Sequence, residues 1–122
     1  MSRYVVDEVK GTVLDTTTGL TWQRDVPISD FMSFATAKDY ADNLPLDGGG
    51  WRLPTCDELQ SLVDDAVMPT IDHAAFPGCP SGIFWCAPPG VDGYCWLLDF
   101  RWPCPPMYGT VDSAFVRCVR GP

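Results

Sequence analysis

The sequence predicts an α+β domain in which two helices pack on short antiparallel sheets joined by long loops. Two segments carry apolar residues at helical spacing, while others alternate with the period of a strand. Gly and Pro, at 11 and 12 of 122 residues, interrupt any long helix, so the chain is loop-rich. Five Trp, six Phe and four Tyr supply the bulk of a compact aromatic core. A chain of this length is one domain, 1–122, able to bury a core without disulfides or metal being obligatory.

Tyr4 to Val9 alternates weakly and is expected to form a first strand. Val13-Leu14 and Leu20-Thr21-Trp22 flank Asp15-Thr16-Thr17-Thr18-Gly19, which reads as a hairpin: Asp15 can accept from the turn backbone and Gly19 can supply positive φ. Asp15 could instead be a cation ligand, but satisfying the turn is the more frequent role of such an Asp. Phe34, Ala37, Tyr40, Ala41 and Leu44 share one helical face, which predicts a first helix over 34–43, ended by Pro45.

A second helix is predicted from Thr55. Thr55 and Glu58 have the spacing of a reciprocal capping box, and Leu59, Leu62, Val63 and Ala66 follow at helical spacing. Gly48, Gly49 and Gly50 let the chain turn before Trp51, and Pro54 fixes φ before the cap. Asp64 and Asp65 would then fall in the last turn, against the helix dipole, and call for a cation nearby. Arg52 is expected to be structural, held by Glu58, Asp64 or Asp99.

From Met68 to Ser81 the prolines and Gly78 predict a loop pinned by Phe76. His73, the only histidine, has no neighbouring Ser or Cys with an orienting third group, so it reads as a solvated loop residue and not as a catalytic base. Strand alternation over 95–102 puts Trp96, Leu98, Phe100 and Trp102 on the core face, with Ile83 and Trp85 beside them, and Cys95, Leu97, Asp99 and Arg101 outward. If Trp85 lies opposite Trp96, Cys86 faces Cys95 across the ladder, close to disulfide range. Trp51, Trp85, Trp96 and Phe100 are expected to be mostly buried. In the last strand Ala114, Val116 and Cys118 face inward, and Phe115, Arg117 and Val119 the other way.

A net charge of −8 argues against nucleic acid and against anionic membrane surfaces, since both are held through Lys and Arg. No apolar run is long enough for a membrane insertion. Six cysteines fit an oxidising compartment, their spacing leaves the pairing open, and no Cys-x2-Cys spacing points to structural zinc. Met1-Ser2-Arg3-Tyr4 lacks the apolar core of a signal peptide, so the chain either stays inside the cell or is a domain cut from a longer precursor.

Trp51-Arg52-Leu53-Pro54-Thr55 followed by Glu58-Leu59 and Val63-Asp64 closely resembles the bacterial Lcl C-terminal domain family, the module that ends a collagen-like adhesin. Further segments resemble it in the same order: Val13 to Gln23, Ala74-Ala75-Phe76-Pro77, Phe84-Trp85, Trp96 to Phe100, and Val116 to Arg120. The resemblance implies a C-type-lectin-like fold and an extracytoplasmic location, secreted or on the cell surface, and favours a piece of a longer precursor. It also implies a homotrimer where a collagen-like stalk is attached. Many relatives carry a cysteine where this chain has Ala41, expected to pair with the equivalent of Cys118. Here Cys118 must be free or pair elsewhere, Cys56 being one candidate.

The expected function is non-enzymatic recognition, with adhesion to a carbohydrate or protein partner. The outward face of Cys86, Cys95, Leu97 and Arg101, with Cys104 and Tyr108 of the following loop, is the expected ligand site, on a loop that prolines hold in few conformations. Sulfated polyanions would need a local patch of Arg101, Arg117 and Arg120 to overcome the net charge. No cofactor is expected: the calcium-dependent sugar motifs Glu-Pro-Asn and Trp-Asn-Asp are absent, so calcium has no motif to support it. One alternative is the variable protein of a diversity-generating retroelement, suggested by the mixed chemistry of Cys86, Pro88, Cys95, Leu97, Arg101, Cys104 and Pro105 around fixed core tryptophans. Another, an oxidase like the formylglycine-generating enzymes, needs a closely spaced reactive cysteine pair; Cys104 and Cys118 are far apart in sequence and the local motif is missing.

Overall fold

The structure, a computed structural model, describes residues 3–26, 31–87, 94–101 and 105–121. The order is β1 (Tyr4–Asp7), β2 (Thr12–Asp15), β3 (Thr21–Gln23), α1 (Phe34–Asn43), a 3-10 turn (Leu46–Gly48), α2 (Cys56–Gln60), β4 (Ile83–Cys86), β5 (Cys95–Asp99), β6 (Met107–Gly109) and β7 (Val119–Arg120). Two antiparallel sheets result, one ordered β1-β2-β3-β7 and the other β4-β5-β6. The fold is α+β, as the sequence predicts.

The hairpin between β2 and β3 forms around Asp15, whose side chain is fully buried. Its Oδ1 accepts from the Thr17 N–H at 3.0 Å and from Arg3 Nε at 2.8 Å, and its Oδ2 accepts from Arg3 Nη2 at 2.6 Å. Gly19 closes the turn at φ +78°, a region that L side chains rarely adopt. The turn-satisfying role of Asp15 is therefore the one observed, with Arg3 as an additional partner. Burial by itself would raise the Asp15 pKa, but the hydrogen bonds from Arg3 and Thr17 outweigh it and hold the carboxyl below the usual aspartate range.

Helix α1 spans the predicted residues and buries Ala37 and Ala41; Ser33 caps it, its Oγ accepting from the Thr36 N–H. At α2 the capping box forms: Thr55 Oγ1 accepts from the Glu58 N–H, and Glu58 Oε1 accepts from the Thr55 N–H. Arg52 holds the same Glu58 in a two-pronged pair at 2.7 and 2.8 Å. The helix itself is shorter than its apolar spacing suggests. Past Gln60 the Leu62 and Val63 N–H groups reach back only three residues, and the Asp64 N–H leaves for the Thr70 carbonyl. Asp64 Oδ1 accepts from the Ala66 N–H, so this aspartate offers the backbone a turn in place of a further helical turn. Asp64 and Asp65 consequently oppose no helix dipole, and Ala66 is exposed.

The register of the second sheet corrects the sequence reading. Trp85 pairs with Leu97 and Cys86 with Trp96, one step from the expected alignment. A one-residue slip changes which side chains share a face. Trp85 and Ile83 therefore lie with Leu97 and Cys95 on one side, packed with Trp51, Leu53, Ala114, Val116, Cys118 and the inner face of α1. Phe84, Cys86, Trp96, Leu98 and Phe100 lie on the other, packed with Leu59 and Leu62 after the cap and with Val13, Trp22 and Val119 of the first sheet. Both faces of β5 are covered, so the expected outward positions of Cys86 and Leu97 are wrong: Cys86 is 0% and Leu97 3% exposed. Cys86 does not face Cys95, which lies opposite Gly109. Of the four aromatics expected inside, Trp51, Trp85 and Phe100 are buried and Trp96 is half-buried. Trp102 lies outside the described residues.

The C-terminal segment runs between the two cores. Phe115 bridges to Phe84, Ala114 to Met32, and Val119 to Arg52. Ala114, Val116 and Cys118 face the α1 side, as expected. Arg117 points the other way and is fully buried, its Nη1 donating to the carbonyls of Gln23 (2.7 Å) and Arg24 (2.6 Å) and its guanidinium 4.6 Å from the Phe76 ring centre. Phe76 thus pins the 68–81 loop as predicted, and also covers an arginine that the sequence does not mark as internal.

Candidate functional site

The start of α2 is fixed against the end of β4. The Ala87 N–H donates to the Pro54 carbonyl at 2.8 Å, and Thr55 and Ala87 form a parallel bridge. Beside this seam a groove of about 450 Å³ opens, lined by Thr55, Cys56, Asp57, Gln60, Ala87, Trp96 and Pro106. Leu59 is the buried side of the helix, so Asp57 and Gln60 are left exposed on the other.

The opposite wall comes from β5 and β6. Cross-strand pairing puts Cys86, Trp96 and Tyr108 in one row, running from buried to exposed. Tyr94, two residues before Trp96, falls on the same face. The Tyr94 and Tyr108 rings stack at 5.5 Å between centres with 17° between planes, and Tyr108 leans on Trp96 at 4.6 Å. Tyr94 is 46% and Tyr108 43% exposed, so a continuous three-ring surface meets solvent beside the groove. Such a surface offers flat apolar faces, with the Asp57 carboxylate and the Gln60 amide able to take hydroxyl hydrogen bonds at the rim.

Of the residues expected to bind ligand, Tyr108 is on this surface. Arg101 is exposed at the end of β5, where its Nη2 and Nε donate to Asp99 at 2.7 and 3.0 Å. Cys95 is half-buried on the α1 side of the sheet, Cys86 and Leu97 are core, and Cys104 lies outside the described residues. Tyr94, Asp57 and Gln60 went unread in the sequence, although Tyr94-Cys95-Trp96 continues the strand alternation and Asp57 and Gln60 have the spacing of one exposed helical face. The polyanion patch does not assemble: Arg117 is internal, Arg101 is engaged by Asp99, and Arg120 bonds Asp47 while its guanidinium lies 4.5 Å over the Trp51 ring.

The described cysteines divide between the two cores. Cys56 and Cys86 are unbridged thiols of one core; Cys118 lies in the other, so Cys56 is not its partner. Burial pushes the Cys118 thiol up to about 12, the reverse of an activated nucleophile. His73 is exposed, with its Nε2 2.8 Å from the Pro69 carbonyl oxygen. Among the described residues no group of three or more His, Cys, Asp or Glu could hold a metal ion, and no helix is long and apolar enough to cross a membrane.

Two helices on two antiparallel sheets, with one exposed aromatic face beside a groove, define a small loop-rich α+β domain. The chain belongs to the Lcl C-terminal domain family, whose sequence model matches residues 11–120. The family is associated with surface adhesins. Comparison with curated proteins finds no match.

Proposed function

We propose that this chain is a non-enzymatic recognition domain of a bacterial surface or secreted protein, and that it binds a neutral carbohydrate in the groove between α2 and the β5–β6 edge. The observation that carries the reading is the pair of exposed rings, Tyr94 and Tyr108, set against half-buried Trp96 beside Asp57 and Gln60. Sugar rings present flat C–H faces and a rim of hydroxyls, which aromatic faces and a carboxylate–amide pair complement. The net charge of −8 and the engagement of the surface arginines favour neutral over sulfated sugars. The reading takes the fold as C-type-lectin-like and the location as extracytoplasmic, as family membership suggests. It needs no calcium.

The diversified-face alternative loses support, because Cys86 and Leu97 of its variable set are core residues. The test is a panel of soluble neutral and sulfated polysaccharides titrated against the domain, with Tyr108→Ala and Gln60→Ala alongside. The expected result is saturable binding of a neutral glycan, insensitive to a chelator and weakened about tenfold by Tyr108→Ala, or about 1.4 kcal/mol. Binding only to sulfated chains, only to a protein, or equally to the Tyr108→Ala domain would overturn the assignment.

A further inference from the structure

We propose that Cys56 and Cys86 form a redox modification site, a thiol pair that closes reversibly into a disulfide joining the first residue of α2 to the last residue of β4. The two backbones are already tied there, by the 2.8 Å bond from the Ala87 N–H to the Pro54 carbonyl and by the Thr55–Ala87 bridge. Cys56 packs against the buried cluster that contains Cys86, and Cys56 Sγ lies 4.0 Å from the Ala87 carbonyl oxygen. Closing the bond brings the two sulfurs to about 2.05 Å, across backbones that the Thr55–Ala87 bridge already holds together. The other described cysteines are placed elsewhere: Cys79 beside Arg117, and Cys95 and Cys118 in the core under α1.

The pair is asymmetric. Cys56 is half-buried and lines the groove, whereas Cys86 is fully buried behind it. A small disulfide such as oxidised glutathione therefore meets Cys56 first. The Cys56 thiolate attacks one sulfur, its S–S bond breaks, and one glutathione leaves as thiolate. The Cys86 thiolate then attacks Cys56 Sγ and expels the second. Both protein thiols are oxidised, the small disulfide is reduced to two thiols, and the two protein protons end on them. Burial pushes both protein thiols above the usual range, so closure is slow at neutral pH and faster as pH rises. The bond would pin the groove's helical wall to the sheet; that consequence rests on the carbohydrate reading, but the bond does not.

The test equilibrates the whole chain in glutathione buffers of graded oxidation, followed by acid quench, alkylation and Asp-N digestion. Cleavage before Asp57 and Asp72 separates Cys56 from Cys86, and fragmentation distinguishes Cys86 from Cys79. The expected product is a linked Cys56–Cys86 peptide pair that grows with the oxidised fraction and disappears with dithiothreitol, while Cys86→Ala stops at a Cys56–glutathione mixed disulfide. Two results would sink the proposal: wild-type Cys56 stopping as a stable mixed disulfide, or Cys56 linking to a different cysteine. Persistence of both thiols at full oxidation would do the same. None of these outcomes depends on any ligand, so they stand apart from failure of the carbohydrate reading.

Discussion

Replacing Asp15 with alanine removes the acceptor at the centre of the β2–β3 turn. Two hydrogen bonds from Arg3 and one from the Thr17 N–H end on that carboxylate. Bonds to a charged group each contribute about 1.5–3 kcal/mol. The Arg3 side chain is 35% exposed, however, and recovers water when its partner goes, so the ion-pair part must be discounted. The Thr17 N–H is partly buried, and orphaning it costs about 1 kcal/mol or more. Together the expected loss for Asp15→Ala is about 2–4 kcal/mol, and for Asp15→Asn, which keeps one acceptor for Thr17, about 1–2 kcal/mol. Asp7→Ala is the control: its carboxylate accepts from the Lys10 N–H in an exposed turn, and the loss should stay near 0.5 kcal/mol.

The assay is urea unfolding under reducing conditions, read by tryptophan fluorescence, since Trp22 sits in β3 next to this turn. The pH dependence gives a second reading. The folded Asp15 pKa is depressed, so its contribution is present above the unfolded value near about 3.9 and is lost as pH falls through the lower, folded value. Asp15→Asn should flatten that acid limb. An Asp15→Ala domain within about 0.5 kcal/mol of the parent would refute the reasoning. So would added calcium that stabilises the parent but not Asp15→Ala, which would make Asp15 a cation ligand.

Phe84 is fully buried, edge-on to Phe100, and should cost about 3–5 kcal/mol as Phe84→Ala in the same urea assay. The Arg52–Glu58 pair is more exposed, and Arg52→Ala should cost only about 1 kcal/mol while returning the Glu58 carboxyl, now held low chiefly by Arg52, toward the ordinary glutamate range in an NMR titration. Ala41 and Cys118 share one buried cluster, so Ala41→Cys should form a bond to Cys118, seen as two thiols protected from alkylation after unfolding and recovered on reduction. Alkylation of both the introduced thiol and Cys118 in the unfolded, unreduced variant would show that the position does not meet Cys118.

What was legible in the sequence was local. The capping box at Thr55, the hairpin at Asp15 and α1 each rest on residues a few positions apart, and backbone hydrogen bonding enforces them wherever the segment packs. The length of α2 was not legible, because Leu62 and Val63 keep helical spacing after Asp64 has taken the backbone into a turn. The strand register was not legible either. Trp85 opposite Trp96 and Trp85 opposite Leu97 both bring apolar residues together, and nothing local to either strand separates the two alignments. The slip itself puts Cys86 opposite Trp96 in place of Cys95; the outward reading of Leu97 fails for a different reason, the cover on both faces of the strand.

Alternation names an inside and an outside only for a strand with one wet face. β5 has none over Leu97 to Asp99: α1 and the C-terminal segment cover one side, and the turns after the cap and the first sheet cover the other. Even Asp99, polar by the pattern, is buried against Arg101. An aromatic row crossing this sheet can therefore reach solvent only where cover ends, at the β6 edge and at the N-terminal end of β5. Tyr108 stands at the first and Tyr94 at the second, with half-buried Trp96 between them and the core. The same side chains that seal the core at one end of the row make a solvent-facing platform at the other. A ligand bound here, as the carbohydrate proposal has it, would meet a platform made rigid by the core itself: Trp96 is packed against core residues beforehand, which would lower the ordering cost of binding.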